Sequence, residues 1–113
     1  MTKTTIYHNP RCTKSRETLA LLQQRGIDPE VVEYLRTPLD VETLQAVLRL
    51  LGRQPSELIR TKEYEALGLP PTDDPEELIA RIVAYPHILQ RPIVVHGDQA
   101  RVGRPPEAVL EIL

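Results

Sequence analysis

Apolar and polar positions along the chain change period repeatedly, between about two and about 3.6 residues, the mark of strands mixed with helices. Residues 4–7 form a β-rich run that stops at His8-Asn9-Pro10, which predicts a first strand. Over residues 13–25 the pattern is helical, with Leu19 and Leu22 on one face and Gly26 as the stop. Residues 31–35 read as a second strand closed by Thr37-Pro38. Asp40 then caps a helix whose Leu44, Val47, Leu48 and Leu51 share a face and which ends at Gly52. One or two short helices fit residues 55–67, and Pro70-Pro71 breaks the chain. Asp74-Pro75 opens a helix to about Tyr85, with Leu78, Ile79, Ile82 and Val83 inward. Residues 92–96 and 100–103 flank the turn Gly97-Asp98 as a hairpin. Pro105-Pro106 starts a final helix using Val109, Leu110 and Leu113.

The predicted order is β-α-β, a helical block, then β-β-α. A β-α-β unit implies two parallel strands joined by a right-handed crossover. With a hairpin and a closing helix added, this is an α/β, thioredoxin-like plan. It spans one domain, residues 1–113, with a helical insertion at about 38–86.

Composition narrows the function classes. A chain of 113 residues with 41% hydrophobic and 27% charged residues is ordinary for one globular domain. A net charge of -2 argues against nucleic acid, which calls for a basic footprint. The first ten residues carry no apolar signal core, and no apolar run approaches the ~20 residues of a membrane span. The expectation is a soluble, cytoplasmic protein without a membrane partner. One cysteine excludes an internal disulfide, a CxxC centre and a four-thiolate zinc site. Cys12 is then filler, a reactive thiol or an intermolecular partner. The fourteen basic residues comprise eleven arginines and three lysines. Arginine is the bidentate partner of oxyanions, although codon usage alone produces such totals, so position must decide which arginines matter.

The most informative stretch is His8-Asn9-Pro10-Arg11-Cys12-Thr13-Lys14-Ser15-Arg16. It places Cys12 in or just before the opening turn of the first helix, where free amides and the helix dipole favour a thiolate and a bound anion. His8, Arg11, Lys14 and Arg16 add potential positive charge. A phosphatase loop, Cys-x5-Arg, requires arginine at 18, which is Thr18. A dithiol centre requires cysteine at 15, which is Ser15. An outside molecule must therefore resolve any bond that Cys12 forms. Arg91 and Arg104 flank the hairpin where the fold could bring them to Cys12, and Arg60 follows Leu58-Ile59 in the insertion. Spacing alone leaves their convergence open. The three histidines and one cysteine lack metal-ligand spacing, so no metal site is expected. His87 and His96 have no evident partners. The run Asp73-Asp74-Pro75-Glu76-Glu77 reads as helix-start chemistry.

With TIYHNPRCTKSRETL at the start, ELIR ending at Arg60, RPIVV from Arg91 and GRPPEAVLEIL from Gly103, the chain closely resembles the glutaredoxin-linked arsenate reductase family. The resemblance covers essentially the whole chain and is nearest to a short branch with the signature HNPRC-x-KSR. It implies that Cys12 is the nucleophile that forms a thiol-arsenate adduct. It further implies that Arg60, Arg91 and Arg104 hold the oxyanion, that His8 helps lower the thiol pKa, and that Ser15 supplies a hydroxyl in the active loop. Pro92 matches a cis-proline beside the cysteine. Arsenate is then the substrate, glutathione the co-substrate and glutaredoxin the partner that reduces the mixed disulfide, with no bound cofactor or metal. Two other readings remain open. The same scaffold resembles Spx-type regulators that bind RNA polymerase, against which Ser15 in place of a second cysteine argues. A general glutathione-dependent thiol oxidoreductase would have no need of all three arginines.

Overall fold

The β-branched and aromatic run Thr-Thr-Ile-Tyr-His extends as strand β1 (Thr4–His8), its residues alternating between buried and half-buried as period-two packing requires. In the computed structural model, which describes residues 2–113, Met1, where the expected domain begins, lies outside the described residues. β1 is followed by α1 (Thr13–Gln24), β2 (Glu30–Glu33), α2 (Val41–Leu51), α3 (Thr61–Glu65), α4 (Pro75–Ala84), β3 (Ile93–His96) and β4 (Gln99–Val102). Short 3₁₀ segments occupy Pro55–Leu58, Pro86–Ile88 and Pro106–Ile112.

The four strands form one mixed sheet in the order β2-β1-β3-β4. β1 and β2 run parallel, with His8 opposite Glu33. β3 is antiparallel to β1, pairing Ile93 with Tyr7, and antiparallel to β4, pairing Ile93 with Val102. This is the thioredoxin-like α/β arrangement, with the helical block between β2 and β3. Adjacent Ile93 and Val94 send their side chains to opposite faces and so divide the core in two. Ile93 packs with Tyr34, Leu44, Val47, Ile82 and Ile88 beneath the inserted helices. Val94 packs with Ile6, Leu22, Val109 and Ile112.

Most element ends follow local chemistry. Asp40 accepts the amide of Thr43 at 2.7 Å at the start of α2, and Gly52, with φ of 66°, ends that helix in the left-handed region. Asp74 caps α4 by accepting the amide of Glu76 at 3.2 Å. Two expectations are corrected and one is extended. The second strand ends at Glu33, not at residue 35, because the Glu33 carbonyl accepts both the Arg36 and Thr37 amides at 2.9 Å and turns the chain. Leu19 and Leu22 do share a face of α1, both packing on the core around Val94, and the fully buried positions of that helix include Ser15 and Thr18 as well. The closing segment is a 3₁₀ helix whose three-residue turn buries Pro106, Val109 and Ile112, leaving Leu110 half-buried and Leu113 exposed.

Candidate active site

One end of the sheet gathers the chemistry. The C-terminal ends of β1, β2 and β4 and the N-terminal end of β3 share this edge. Ligand sites of α/β sheets characteristically lie outside the carboxyl ends of parallel strands.

Cys12 is the N-cap residue of α1 and keeps an extended backbone, with φ of -92° and ψ of 125°. Its amide donates to the Asn9 carbonyl at 3.0 Å, and its own carbonyl accepts the Arg16 amide at 3.0 Å. The side chain does not cap the helix, and the thiol is half-buried. Burial pushes the thiol pKa up. The amide of Ser15, the guanidinium of Arg91 and the amide of Lys14 outweigh that effect and hold it below its ordinary value.

The loop leading to Cys12 is fixed by its own polar groups. Ser15 Oγ accepts the Asn9 amide at 3.0 Å and lies 2.7 Å from His8 Nδ1. Among the described residues the His8 ring nitrogen is the acceptor within reach of the Ser15 hydroxyl proton, which assigns Nδ1 as acceptor and Nε2 as the protonated nitrogen. Burial lowers the His8 pKa, with Arg16 acting the same way and Glu33 opposing. Asn9 Oδ1 accepts the Arg11 amide at 3.0 Å. Arg16 spends both terminal nitrogens on the loop, donating to the Pro10 carbonyl at 2.9 Å and to Thr13 Oγ1 at 3.3 Å.

Main-chain pairing carries the arginines to the site. Arg91 precedes Pro92, whose carbonyl accepts the Gly103 amide at 2.9 Å, which sets Arg104 beside Arg91. Arg104 Nη1 donates to the Arg91 carbonyl at 3.2 Å, and Arg91 Nη1 donates to the His87 carbonyl at 3.3 Å. The peptide bonds Arg91-Pro92 and Arg104-Pro105 are both cis. Arg60 arrives from the insertion through a two-bond antiparallel patch around the bridge between Ile59 and Leu89. In that patch the Arg60 amide donates to the Ile88 carbonyl and the Gln90 amide to the Leu58 carbonyl, both at 2.7 Å. Glu63 Oε1 lies 3.2 Å from Arg60 Nε but off the N–H direction, so this buried donor has no aligned acceptor. Arg91 Nε is likewise buried and unpartnered.

The structure therefore brings Arg91 close enough to Cys12 for its guanidinium to favour the thiolate, and puts Arg104 on Arg91. Arg60 and Arg91 both act electrostatically on Tyr34, as does Cys12. His8 and Ser15 meet each other behind the loop, and the Ser15 amide favours the thiolate without closing a cap hydrogen bond. No charge on His8 figures among the groups that lower the thiol pKa. Sequence reasoning missed Tyr34, which is fully buried with an unpartnered hydroxyl among these groups. It also missed His87, which contributes its main-chain carbonyl. The available signal for Tyr34 was its place just past β2, one step beyond the pairing of His8 with Glu33 and so alongside Asn9. His96 finds a partner away from the site, with its Nδ1 2.7 Å from Thr4 Oγ1. Among the described residues, no group of three or more His, Cys, Asp or Glu side chains is placed to hold a metal ion. No helix among them is long and apolar enough to cross a membrane.

Residues 7–112 match the model of the ArsC family. The chain is 54% identical to the uncharacterized Escherichia coli K12 protein YfgD over 96% of this chain and 94% of that one. It is 46% identical to an arsenate reductase of Haemophilus influenzae, over 96% and 97% of the two chains. Among solved structures, an arsenate reductase from Vibrio cholerae superposes with a TM-score of 0.92 at 46% identity, over 98% of each chain. With a family model spanning nearly the whole length, and relatives of this identity matched end to end, the chain belongs to the ArsC family.

Proposed function

We propose that the protein is an arsenate reductase that uses Cys12 as nucleophile and draws its electrons from glutathione and glutaredoxin. The observation that carries this reading is a single thiol, held below its ordinary pKa, whose guanidinium neighbour Arg91 is tied to Arg104. A tetrahedral oxyanion suits such a pocket because guanidinium groups donate in bidentate pairs and keep their charge at any working pH. Relatives that share the full length bear the name arsenate reductase, which supports the choice of oxyanion.

In the proposed cycle the Cys12 thiolate attacks arsenic(V), forming an S–As bond while one arsenate oxygen leaves as water after taking up protons. Arg60, Arg91 and Arg104 balance the charge on the remaining oxygens. Glutathione thiolate then attacks the Cys12 sulfur. An S–S bond forms, the S–As bond breaks, and its electron pair stays on arsenic, which departs as arsenite, arsenic(III). The proton of the glutathione thiol ends on an arsenite oxygen. Glutaredoxin reduces the Cys12–glutathione disulfide and returns the thiol. An outside reductant is required because the chain has one cysteine.

A coupled assay with arsenate, glutathione, glutaredoxin, glutathione reductase and NADPH tests this. Arsenate-dependent NADPH oxidation is expected, and Cys12→Ser abolishes it. Turnover that proceeds without arsenate on a protein–glutathione disulfide, with none on arsenate, would assign a general thiol oxidoreductase instead.

A further inference from the structure

Among the described residues, four buried side-chain polar atoms have no hydrogen-bond partner: Tyr34 Oη, Arg60 Nε, Gln90 Oε1 and Arg91 Nε. Two of the four belong to arginines already placed at the site. Tyr34 is the unexpected member. Its ring is 0% exposed and packs in the core beneath the inserted helices, which fixes the hydroxyl in one position. The groups whose charge reaches that hydroxyl are Arg91, Cys12 and Arg60, and the Asn9 side chain lies near enough to favour the phenolate yet outside hydrogen-bond geometry. Burial keeps the phenol protonated well above neutral pH, since it raises the pKa. A buried hydroxyl without a partner is costly, and the protein gains nothing from it internally, because phenylalanine would fill the same space without the penalty. A donor retained at such a cost, beside a thiol and two guanidinium groups, needs an acceptor that arrives from outside.

We propose that Tyr34 is an additional oxyanion-binding residue, its hydroxyl donating a hydrogen bond to an oxygen of the anion held beside Cys12. The proposal rests on the oxyanion reading above and adds a neutral, preorganised donor to the arginine set. Tyr34 approaches from the end of β2, Arg60 from the insertion, and Arg91 and Arg104 from the hairpin. The hydroxyl therefore marks a further side of the anion. A rigid donor also discriminates by geometry, because it rewards an oxygen at one fixed position, whereas flexible cations reward charge alone.

The test is protection of Cys12 from alkylation by iodoacetamide, titrated separately with arsenate and with inorganic phosphate, in the unmodified protein and in Tyr34→Phe. A hydrogen bond to a charged acceptor is lost, so about tenfold or more additional anion is expected for half-protection of the variant. The alkylation rate without anion stays within about twofold, and the thermal midpoint without anion is unchanged or higher, because an unpartnered hydroxyl has been removed. Equal half-protecting concentrations in the two proteins would overturn the role of Tyr34 and leave the oxyanion site standing. A lowered midpoint overturns it too, since the hydroxyl would then have a partner within the fold. Failure of both anions to protect the unmodified protein removes the oxyanion reading together with this one. Anion-induced thermal shift gives the same comparison without relying on the thiol: the upward shift with phosphate is expected to be smaller in Tyr34→Phe.

Discussion

Arg104 donates through Nη1 to the main-chain carbonyl of Arg91 across 3.2 Å, so one arginine of the site is oriented by the backbone of another. Arg91 in turn donates to the His87 carbonyl at 3.3 Å while its guanidinium acts on Cys12. The cations are thus placed in series, from the hairpin to the thiol.

Replacing the last member of that series is expected to weaken the anion and spare the fold. Arg104 is exposed, and its bond to Arg91 is a surface interaction worth about 1 kcal/mol or less. Arg104→Ala is expected to raise KM for arsenate by about tenfold or more with a thermal midpoint near that of the parent. Steady-state kinetics beside a melting curve checks both halves.

The thiol titration should move when Arg91 is changed. Cys12 is expected to alkylate with a midpoint below the ordinary thiol value of 9.0. Arg91→Ala removes the guanidinium that favours the thiolate and shifts the midpoint upward, leaving the two amides alone against burial. His8→Gln, which keeps the loop neutral, is expected to shift it far less. The pH dependence of the iodoacetamide rate reads these midpoints directly. The depressed thiol also links to stability: its contribution is present in full above the unfolded thiol pKa and is lost as pH falls through the folded value.

His8 contributes in the opposite sense. The fold prefers the neutral ring, so the unfolded chain binds the proton more readily. Stability is therefore lost as pH falls through the unfolded value near 6.5 and on toward the lowered folded value. Urea midpoints taken across this range should decline more steeply in the parent than in His8→Gln. Proton-detected NMR of the ring should show Nε2 carrying the hydrogen at neutral pH.

Gly103 is required for closeness. A Cβ there would sit 2.6 Å from Thr18 Oγ1 and 2.8 Å from Pro92 Cγ. Gly103→Ala must push α1 from the hairpin or move Pro92, an overpacking cost of about 1–3 kcal/mol. Each kcal/mol lowers the melting midpoint by roughly 4–8 °C in a domain of this size. Calorimetry tests this, and a midpoint equal to the parent's would contradict the packing described.

The sequence made the loop and the strands legible because their chemistry is local. Asp40, Gly52 and Asp74-Pro75 punctuate helices through contacts within a few residues, and Cys12 falls where the strand–helix junction predicts. The closing segment misled because Val109 and Leu110 fit a 3.6-residue period, whereas Pro106, Val109 and Ile112 fit three. In α1 the inward face begins with Ser15 and Thr18, polar residues whose burial depends on His8, Asn9 and the Lys14 carbonyl. No hydrophobic pattern can mark such positions. Tyr34 and Arg60 were hardest to place, since one gains its meaning from a neighbouring strand and the other from a two-bond patch between residues about thirty apart in sequence.

That patch has a consequence for how far the chain can be shortened. Joining β2 directly to β3 would keep the sheet, the cysteine loop and the hairpin, and with them a minimal redox scaffold. It would also remove Arg60 together with the Leu58 and Ile59 backbone that seats it, and strip the cover from Tyr34 and Ile93. On the proposed function the inserted helices would supply one wall around the anion, so a trimmed protein would retain a thiol without the means to choose what it attacks.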